Sequence, residues 1–190
     1  MHVLLYIRFR EFRITTMKLN YFFLFLSVCM ISCNEDIPCV KQDILFEKHY
    51  VNSAWIPQSS GFLIDYMGNV LEFKWVEVLH IWFDPDSTGN ISSWNMEKNI
   101  SYCQIINYKI NMDTLKYYVN KICAASNGII SEPQHVFADA GTTTYSAFIF
   151  NERTNQYKQV LLKKDGDISI TNSAPGADEI YHWLTRIGQN

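Results

Sequence analysis

The chain has 190 residues, of which 48% are hydrophobic and 18% are charged, and its formal net charge at pH 7 is −3. These proportions are typical of a folded globular domain and exclude a fibrous or intrinsically disordered chain. A nucleic-acid-binding function is excluded too, because the sequence is not basic enough to form a surface of clustered Lys and Arg.

The first predicted element is an apolar run over residues 19–31, LNYFFLFLSVCMI, which follows Lys18. A positive residue before roughly 7–15 apolar ones is the layout of a secretory signal, whereas a membrane span needs about 20 apolar residues. A buried core helix is disfavoured because the run has no polar face. Residues 17–32 are therefore predicted to be a signal peptide. Residues 1–16, which precede a compact start at Met17, are predicted to be a mis-assigned start.

The apolar run ends at Met30-Ile31-Ser32-Cys33 and is followed by the acidic Asn34-Glu35-Asp36. These residues resemble the lipobox and the export signal of Bacteroidota lipoproteins. The resemblance implies cleavage before Cys33, acylation of Cys33, and an outer-membrane lipoprotein of the bacterial cell envelope, with exposure at the cell surface left open. Two or more acyl chains hold a protein firmly to a membrane. The alternative is an ordinary signal peptide with a chance cysteine.

The remaining cysteines of the exported chain are Cys39, Cys103 and Cys123. If Cys33 is lipidated, they allow one disulfide and one free thiol, and a bond between Cys103 and Cys123 would close a loop of about 20 residues. Three buried free thiols are an equal alternative. The sequence contains no CxxC pair, so thiol-redox and structural zinc chemistry have no support.

The folded domain is predicted over residues 59–190, because residues 33–58 carry few turn or periodicity signals and are interpreted as a tether. Its first element is a β-hairpin, since residues 70–75 alternate between apolar and charged side chains. Gly68-Asn69 before this strand supplies the positive φ that tight hairpins need. Residues 84–99 are predicted to be a loop. The other predicted strands are residues 62–66, 143–150, 157–164 and 167–171.

Two main helices are predicted. The first begins at Asn111, whose side chain can cap it, and ends at Asn127-Gly128, which is predicted to form a left-handed stop. The second covers residues 176–187 and carries one apolar stripe. Strands that are grouped together, with helices between and after them, indicate the α+β class. The expected architecture is an antiparallel β-sheet with the two helices packed on one face.

No catalytic signature occurs in the sequence, since it contains no HExxH, GxSxG, P-loop or GxGxxG motif. The domain is therefore predicted to be non-enzymatic and to use no cofactor. Residues 84–95, DPDSTGNISSWN, resemble the calcium loop of EF-hands at Asp84 and Asp86, but Asn95 stands where a bidentate Glu is expected. The favoured alternative is an Asp-Pro turn with hydrogen bonds to the Asp side chain, so no metal ligand is assigned.

Aromatic residues are the remaining functional feature. Trp82 and Trp94 flank the loop over residues 84–95, where exposed rings stack on sugars or fill a partner's pocket. The alternative is that both rings belong to the core. The predicted function is a lipoprotein that displays a small binding domain for a protein or glycan partner, attached to the membrane through Cys33. The alternative function is an inhibitor or immunity lipoprotein that neutralises a toxin or hydrolase.

Overall fold

The computed structural model describes residues 42–54, 56–76 and 81–187, which combine an antiparallel β-sheet with α-helices. The predicted α+β class is confirmed, whereas the signal peptide, lipobox and start predicted within residues 1–33 lie outside the described residues. None of the helices in the described part of the chain has both the length and the apolarity that a membrane crossing requires. The strands are β1 (Ile44–Asn52), β2 (Gln58–Asp65), β3 (Asn69–Val76), β4 (Asn90–Ser92), β5 (Gln104–Lys109), β6 (Gln134–His135), β7 (Thr142–Asn151), β8 (Gln156–Gly166) and β9 (Ile168–Thr171). The helices are α1 (Ser93–Ser101), α2 (Met112–Ala125) and α3 (Pro175–Arg186).

The strands form a sheet in the order β5-β3-β2-β1-β7-β8-β9-β6, and β4 pairs with β8 beside this path. Each of these pairings is antiparallel. The predicted β2–β3 hairpin is confirmed, and Gly68 supplies the positive φ, +82°, while Asn69 already belongs to β3. The polar segment between β7 and β8 is a turn over residues 152–155.

Strand β1 corrects the prediction that residues 33–58 are a tether. It pairs with β2 on one side and with β7 on the other, so it lies in the middle of the sheet. Gln42, just before the strand, is also buried and donates hydrogen bonds to the carbonyl oxygens of Ile44 and Phe148. The domain therefore includes residues 42–54 and 56–58 as well as the predicted range.

Two hydrophobic clusters are built on the sheet. The larger joins strand residues such as Phe46 and Ile64 to apolar residues of α2 and α3. The smaller includes Leu63 of β2 and Met96 of α1. Successive side chains of a strand point to opposite faces of its sheet, so the neighbours Leu63 and Ile64 enter different clusters.

Helices α2 and α3 largely follow the prediction. Asn111 caps α2, since its side-chain oxygen accepts a hydrogen bond of 2.8 Å from the Asp113 amide. The predicted left-handed stop at Asn127-Gly128 is wrong, because neither residue has a positive φ and the C-cap, Ser126, is right-handed. The predicted apolar stripe of α3 is buried and consists of Ile180, Trp183, Leu184 and Ile187.

Helix α1 corrects the prediction of a loop over residues 84–99. Ser92 caps the helix by accepting a hydrogen bond of 3.1 Å from the Asn95 amide. The helix buries Met96 and Asn99, and the Asn99 side chain bonds to both the amide and the carbonyl of Phe83. These bonds fix the segment over residues 81–86, which approaches the middle of the sheet.

Candidate functional site

Polar side chains, two of them buried, meet at the middle of the sheet, where the segment over residues 81–86 approaches β1. Glu47 and His49 stand two residues apart on β1, so both point to the same face of the sheet. Their exposed fractions are only 4% and 5%. Trp82 and Asp84 approach them from the segment, and Ser59 approaches from β2. These five residues are called the polar cluster below.

Each member of the polar cluster has a close neighbour within it. The Nε2 atom of His49 lies 2.8 Å from the Oγ atom of Ser59, which is hydrogen-bonding distance. Its Nδ1 atom lies 3.6 Å from Oδ1 of Asp84. The indole N–H of Trp82 donates a hydrogen bond of 3.2 Å to Oε1 of Glu47. Among the described residues, no buried side-chain nitrogen or oxygen lacks a hydrogen-bond partner.

Burial controls the charge of the polar cluster. It raises the pKa of Glu47 from 4.5 to about 8, helped by the negative charge of Asp84 and opposed by the hydrogen bond from Trp82. Burial also lowers the pKa of His49 from 6.5 to about 4, with a further contribution from the positive charge of Lys164. At neutral pH both side chains are therefore mostly uncharged, as is expected of ionisable groups inside a protein.

Aromatic rings surround the polar cluster on one side. Phe73 stacks on Trp82, with ring centroids 4.1 Å apart, and on Trp75, with centroids 5.1 Å apart. Tyr102 meets Trp75 edge to face at 5.9 Å, with an angle of 88° between the ring planes. The four rings are called the aromatic cluster. His49 joins the two clusters, because its ring lies 5.4 Å from Phe73 and 5.3 Å from Trp82.

A glycine provides the room for this arrangement. Gly61 of β2 is paired with His49 on one side and with Phe73 on the other. A methyl group at this position would come within 3.0 Å of the Phe73 ring and would collide with the carbonyl oxygen of Lys48. The missing side chain therefore lets the Phe73 ring lie over β2, beside His49.

A cavity of about 410 Å³ opens beside the aromatic cluster. This volume is near the lower end of the range of roughly 300–1,000 Å³ found for small-molecule sites. The side chains of Glu72, Lys74 and Gln104 supply hydrogen-bond donors and acceptors at its lining, whereas the Phe73 ring is only 4% exposed. Its lining residues are Glu72, Phe73, Lys74, Trp75, Tyr102, Gln104 and Ile106.

The two tryptophans singled out from the sequence have different environments. Trp82 is partly buried and belongs to both clusters, so it supports the site from within. Trp94 is 58% exposed on α1, with its ring 6.0 Å from Phe83 and 5.3 Å from the Lys98 ammonium group. The sequence did not point to Glu47 and His49, which lie in the segment interpreted as a tether.

The loop over residues 84–95 has the Asp-turn geometry of the favoured alternative. The Oδ1 atom of Asp86 accepts hydrogen bonds from the amides of Thr88, at 2.8 Å, and Asn90, at 3.0 Å. It also accepts one from the Thr88 hydroxyl. Asp84, the other acidic residue of the calcium-loop resemblance, faces His49 instead. Within the described ranges, no group of three or more His, Cys, Asp or Glu is placed to hold a metal ion.

The thiols offer little reactivity near the site. Cys103 and Cys123 are free in the structure, so of the two alternatives the disulfide between them is not formed, and Cys123 is exposed rather than buried. Burial raises the pKa of Cys103 to about 12, and the charge of Glu47 acts in the same direction. Since the thiolate is the reactive form of cysteine, Cys103 is a poor nucleophile at neutral pH.

Ser59, His49 and Asp84 are arranged in the order of a nucleophile, base and acid. Acyl transfer also needs free N–H donors that point to the developing oxyanion. Ser59 lies within β2 and is paired with Val51 on one side and Trp75 on the other. The backbone N–H groups of β2 near Ser59 therefore bond within the sheet and do not form an oxyanion site. The Ser59 hydroxyl instead orients the imidazole of His49.

No family model, curated protein or solved structure matches the chain.

Proposed function

We propose that the protein is a lipoprotein of the bacterial cell envelope, anchored to the outer membrane by lipid on Cys33, whose domain is a small non-enzymatic binding module. The observation that carries the binding role is the aromatic cluster beside the cavity of about 410 Å³. Ligand sites are usually lined by aromatic side chains with a small number of placed polar groups. The proposed anchor is supported by the resemblance of Met30-Ile31-Ser32-Cys33 to a lipobox.

The non-enzymatic part of the proposal is supported by the chemistry of the buried groups. The Cys103 thiol is protonated at neutral pH, and Ser59 lies within a strand that is paired on both sides. The polar cluster is then a support that fixes Trp82 and, through the ring contacts of His49, Phe73. A preorganised site costs less conformational entropy when its ligand binds.

We further propose that Trp94 contacts a partner, and that Trp82 acts by holding the wall of the cavity. Exposed tryptophans are enriched among the residues that dominate binding energy. The proposal also takes α2 and α3 to cover one face of the sheet and α1 the other. The separate clusters that contain Leu115 of α2 and Met96 of α1 support this division.

The anchor is tested by Cys33→Ala in cells that produce the full chain. Loss of the only acylated residue should release the protein from the membrane fraction, because a single thioether-linked anchor is proposed. Metabolic labelling with a palmitate analogue should mark the wild type and not the variant. An unlabelled wild type that fractionates as a soluble protein would refute the lipoprotein assignment.

The partner role is tested with Trp94→Ala and the matched control Phe137→Ala. Phe137 is a similarly exposed ring, at 65%, in a different part of the chain. Loss of a binding anchor costs about 2 kcal/mol or more, so Trp94→Ala should weaken binding by about thirtyfold. Crosslinking on intact cells identifies the partner, and titration of the full chain with that partner gives the affinities. Equal affinities for the two variants would remove Trp94 from the proposed site.

A further inference from the structure

We infer that the end of the domain at which the chain enters β1 docks on the bilayer that holds the lipid anchor. The inference rests on the proposed anchor at Cys33 and adds an orientation of the domain on the membrane. The docking surface consists of four apolar side chains, each between 42% and 50% exposed. They are called the entry patch and are Tyr66, Met67, Tyr108 and Met112.

Two hydrogen bonds bring the segments of the entry patch together. The Tyr66 amide donates a bond of 3.2 Å to the carbonyl oxygen of Asp43, so the β2–β3 turn lies beside the start of the described domain. The Ile110 amide donates a bond of 2.8 Å to the carbonyl oxygen of Gly68 in the same turn. Each member of the entry patch stands within two residues of Gly68 or Ile110, so the two exposed segments are neighbours.

The length of the tether favours the bilayer as the occupant of this patch. Eight residues, 34–41, separate the proposed anchor from the described domain, and a chain of this length spans at most about 30 Å. A patch on so short a tether meets the bilayer at a high effective concentration, so weak contacts are sufficient for docking. A protein partner would have to compete with this surface.

Another exposed apolar segment, around Phe137, lies at the opposite end of the sheet. Phe137 stands two residues before Asp139, whose carbonyl oxygen accepts a hydrogen bond from the Asn52 side chain at the end of β1. The nine residues of β1 span about 25–30 Å. The tether would have to extend almost fully along the domain before this segment met the bilayer, which costs chain entropy. The tether therefore favours the entry patch.

The side chains of the entry patch match the boundary between lipid headgroups and acyl chains. Tyrosine is enriched at this depth of membrane proteins, because its ring is apolar while its hydroxyl group remains hydrated. Methionine is flexible and apolar, so it adapts to an irregular surface such as a lipid interface. Two residues of each kind make up the patch.

The charges near the patch indicate that apolar contact drives docking. Asp65 uses its carboxylate within the turn, where it accepts hydrogen bonds from two backbone amides and from the Asn69 side chain. Lys109 and Asp113, next in sequence to the patch, have opposite charges, and Asp43 adds a negative one. These groups give the patch no surplus of positive charge, so an anionic lipid surface would add little attraction.

The test measures lipid contact with a fluorophore on the entry patch. Met67→Cys is labelled with bimane in the full chain, in which Cys39→Ser and Cys123→Ser remove competing thiols. The protein is moved from mild detergent into vesicles of phosphatidylethanolamine and phosphatidylcholine, with or without bromine on the acyl chains. Bromine quenches a fluorophore that touches the lipid. Docking at the headgroup boundary should lower the emission in brominated vesicles by about twofold or more.

A matched reporter controls for orientation. Phe137→Cys, labelled in the same background, places the fluorophore at an exposed position at the far end of β1, and its emission should be equal in the two kinds of vesicle. Met112→Cys reads the entry patch from α2 and should be quenched like Met67→Cys. Adding Tyr66→Ser to the Met112→Cys chain should reduce this quenching, because it removes one ring from the patch.

The outcomes separate docking from the anchor. Flotation of the vesicles shows whether the chain is anchored, and a chain that does not float refutes both proposals. A chain that floats without quenching at position 67 or 112 leaves the anchor standing and overturns the inference. Equal quenching at the patch and at position 137 would mean that the domain has no fixed orientation, which also overturns it. Emission that responds to dilution of the protein and not to bromine would identify a second copy as the occupant, with the same consequence.

Discussion

The buried carboxyl group of Glu47 predicts an unusual dependence of stability on pH. Its pKa rises from 4.5 to about 8 on folding, mainly because of burial. Between these pH values the native state retains a proton that the unfolded state has lost, so the Glu47 contribution to stability falls as pH increases. From pH 5 to pH 8 the loss is on the order of 3–4 kcal/mol, since each pKa unit corresponds to about 1.4 kcal/mol.

His49 acts in the opposite direction. Its pKa falls from 6.5 to about 4 on folding, again mainly because of burial. Between these values the unfolded state binds a proton that the native state does not, so stability rises with pH, by about 2 kcal/mol from pH 5 to pH 8. Because the pKa shift of Glu47 is the larger of the two, the two groups together lower the stability over the same interval, by on the order of 1 kcal/mol.

Glu47→Gln should reverse the sign of this dependence. Glutamine keeps an acceptor for the Trp82 indole but cannot ionise, so only the His49 contribution remains, and the variant should gain about 2 kcal/mol from pH 5 to pH 8. Urea unfolding followed by tryptophan fluorescence at both pH values measures the difference. Glu152→Gln, at an exposed turn position, is the control and should behave like the wild type. Parallel curves for the wild type and Glu47→Gln would refute the assigned burial of a protonated Glu47.

Further predictions concern packing and thiol reactivity. Phe46 is fully buried and meets Trp183 edge to face at 5.1 Å, so Phe46→Ala should lower the free energy of unfolding by about 3–5 kcal/mol. Val51→Ala, at a 39% exposed position of the same strand, should cost about 1 kcal/mol or less in the same urea assay, and equal costs would contradict the central position of β1. Cys123 is exposed and Cys103 has its pKa raised to about 12, so iodoacetamide at neutral pH should modify Cys123 first. Peptide mapping by mass spectrometry shows which cysteine is modified first. Faster modification of Cys103 would contradict the raised pKa of its thiol.

The parts of the fold that the sequence predicted are those with a single buried face. In β3, Leu71 and Phe73 are buried, while Glu72 and Lys74 between them are exposed, so the alternation is visible in the sequence. Helix α3 likewise has one apolar stripe and an exposed opposite side. In such elements, the spacing of the apolar residues along the sequence shows which side chains are buried.

Strand β1 could not be recognised in this way, because both of its faces are covered. Its sequence, ILFEKHYVN, places Glu47, Lys48 and His49 in the middle of the sheet, where a charged triplet would ordinarily indicate a surface segment. Trp82 bonds to Glu47 and Ser59 lies at hydrogen-bonding distance from His49. Lys48, between them, places its ammonium group 5.9 Å from the centroids of the Phe62 and Tyr145 rings. Helix α1 was missed for a different reason, since its nine residues bury only Met96 and Asn99.

The failure of sequence reasoning at β1 and the proposed site have a common physical origin. Buried ionisable groups reduce stability unless their partners compensate, and well-packed apolar residues in their place are often neutral or stabilising. Glu47 costs more stability as the pH rises, yet its hydrogen bond fixes the Trp82 ring that stacks on Phe73. A side chain that is unfavourable for folding and positions an aromatic wall is best explained by what that wall binds. Loss of ligand binding in Glu47→Leu, without loss of stability, would be the corresponding signature.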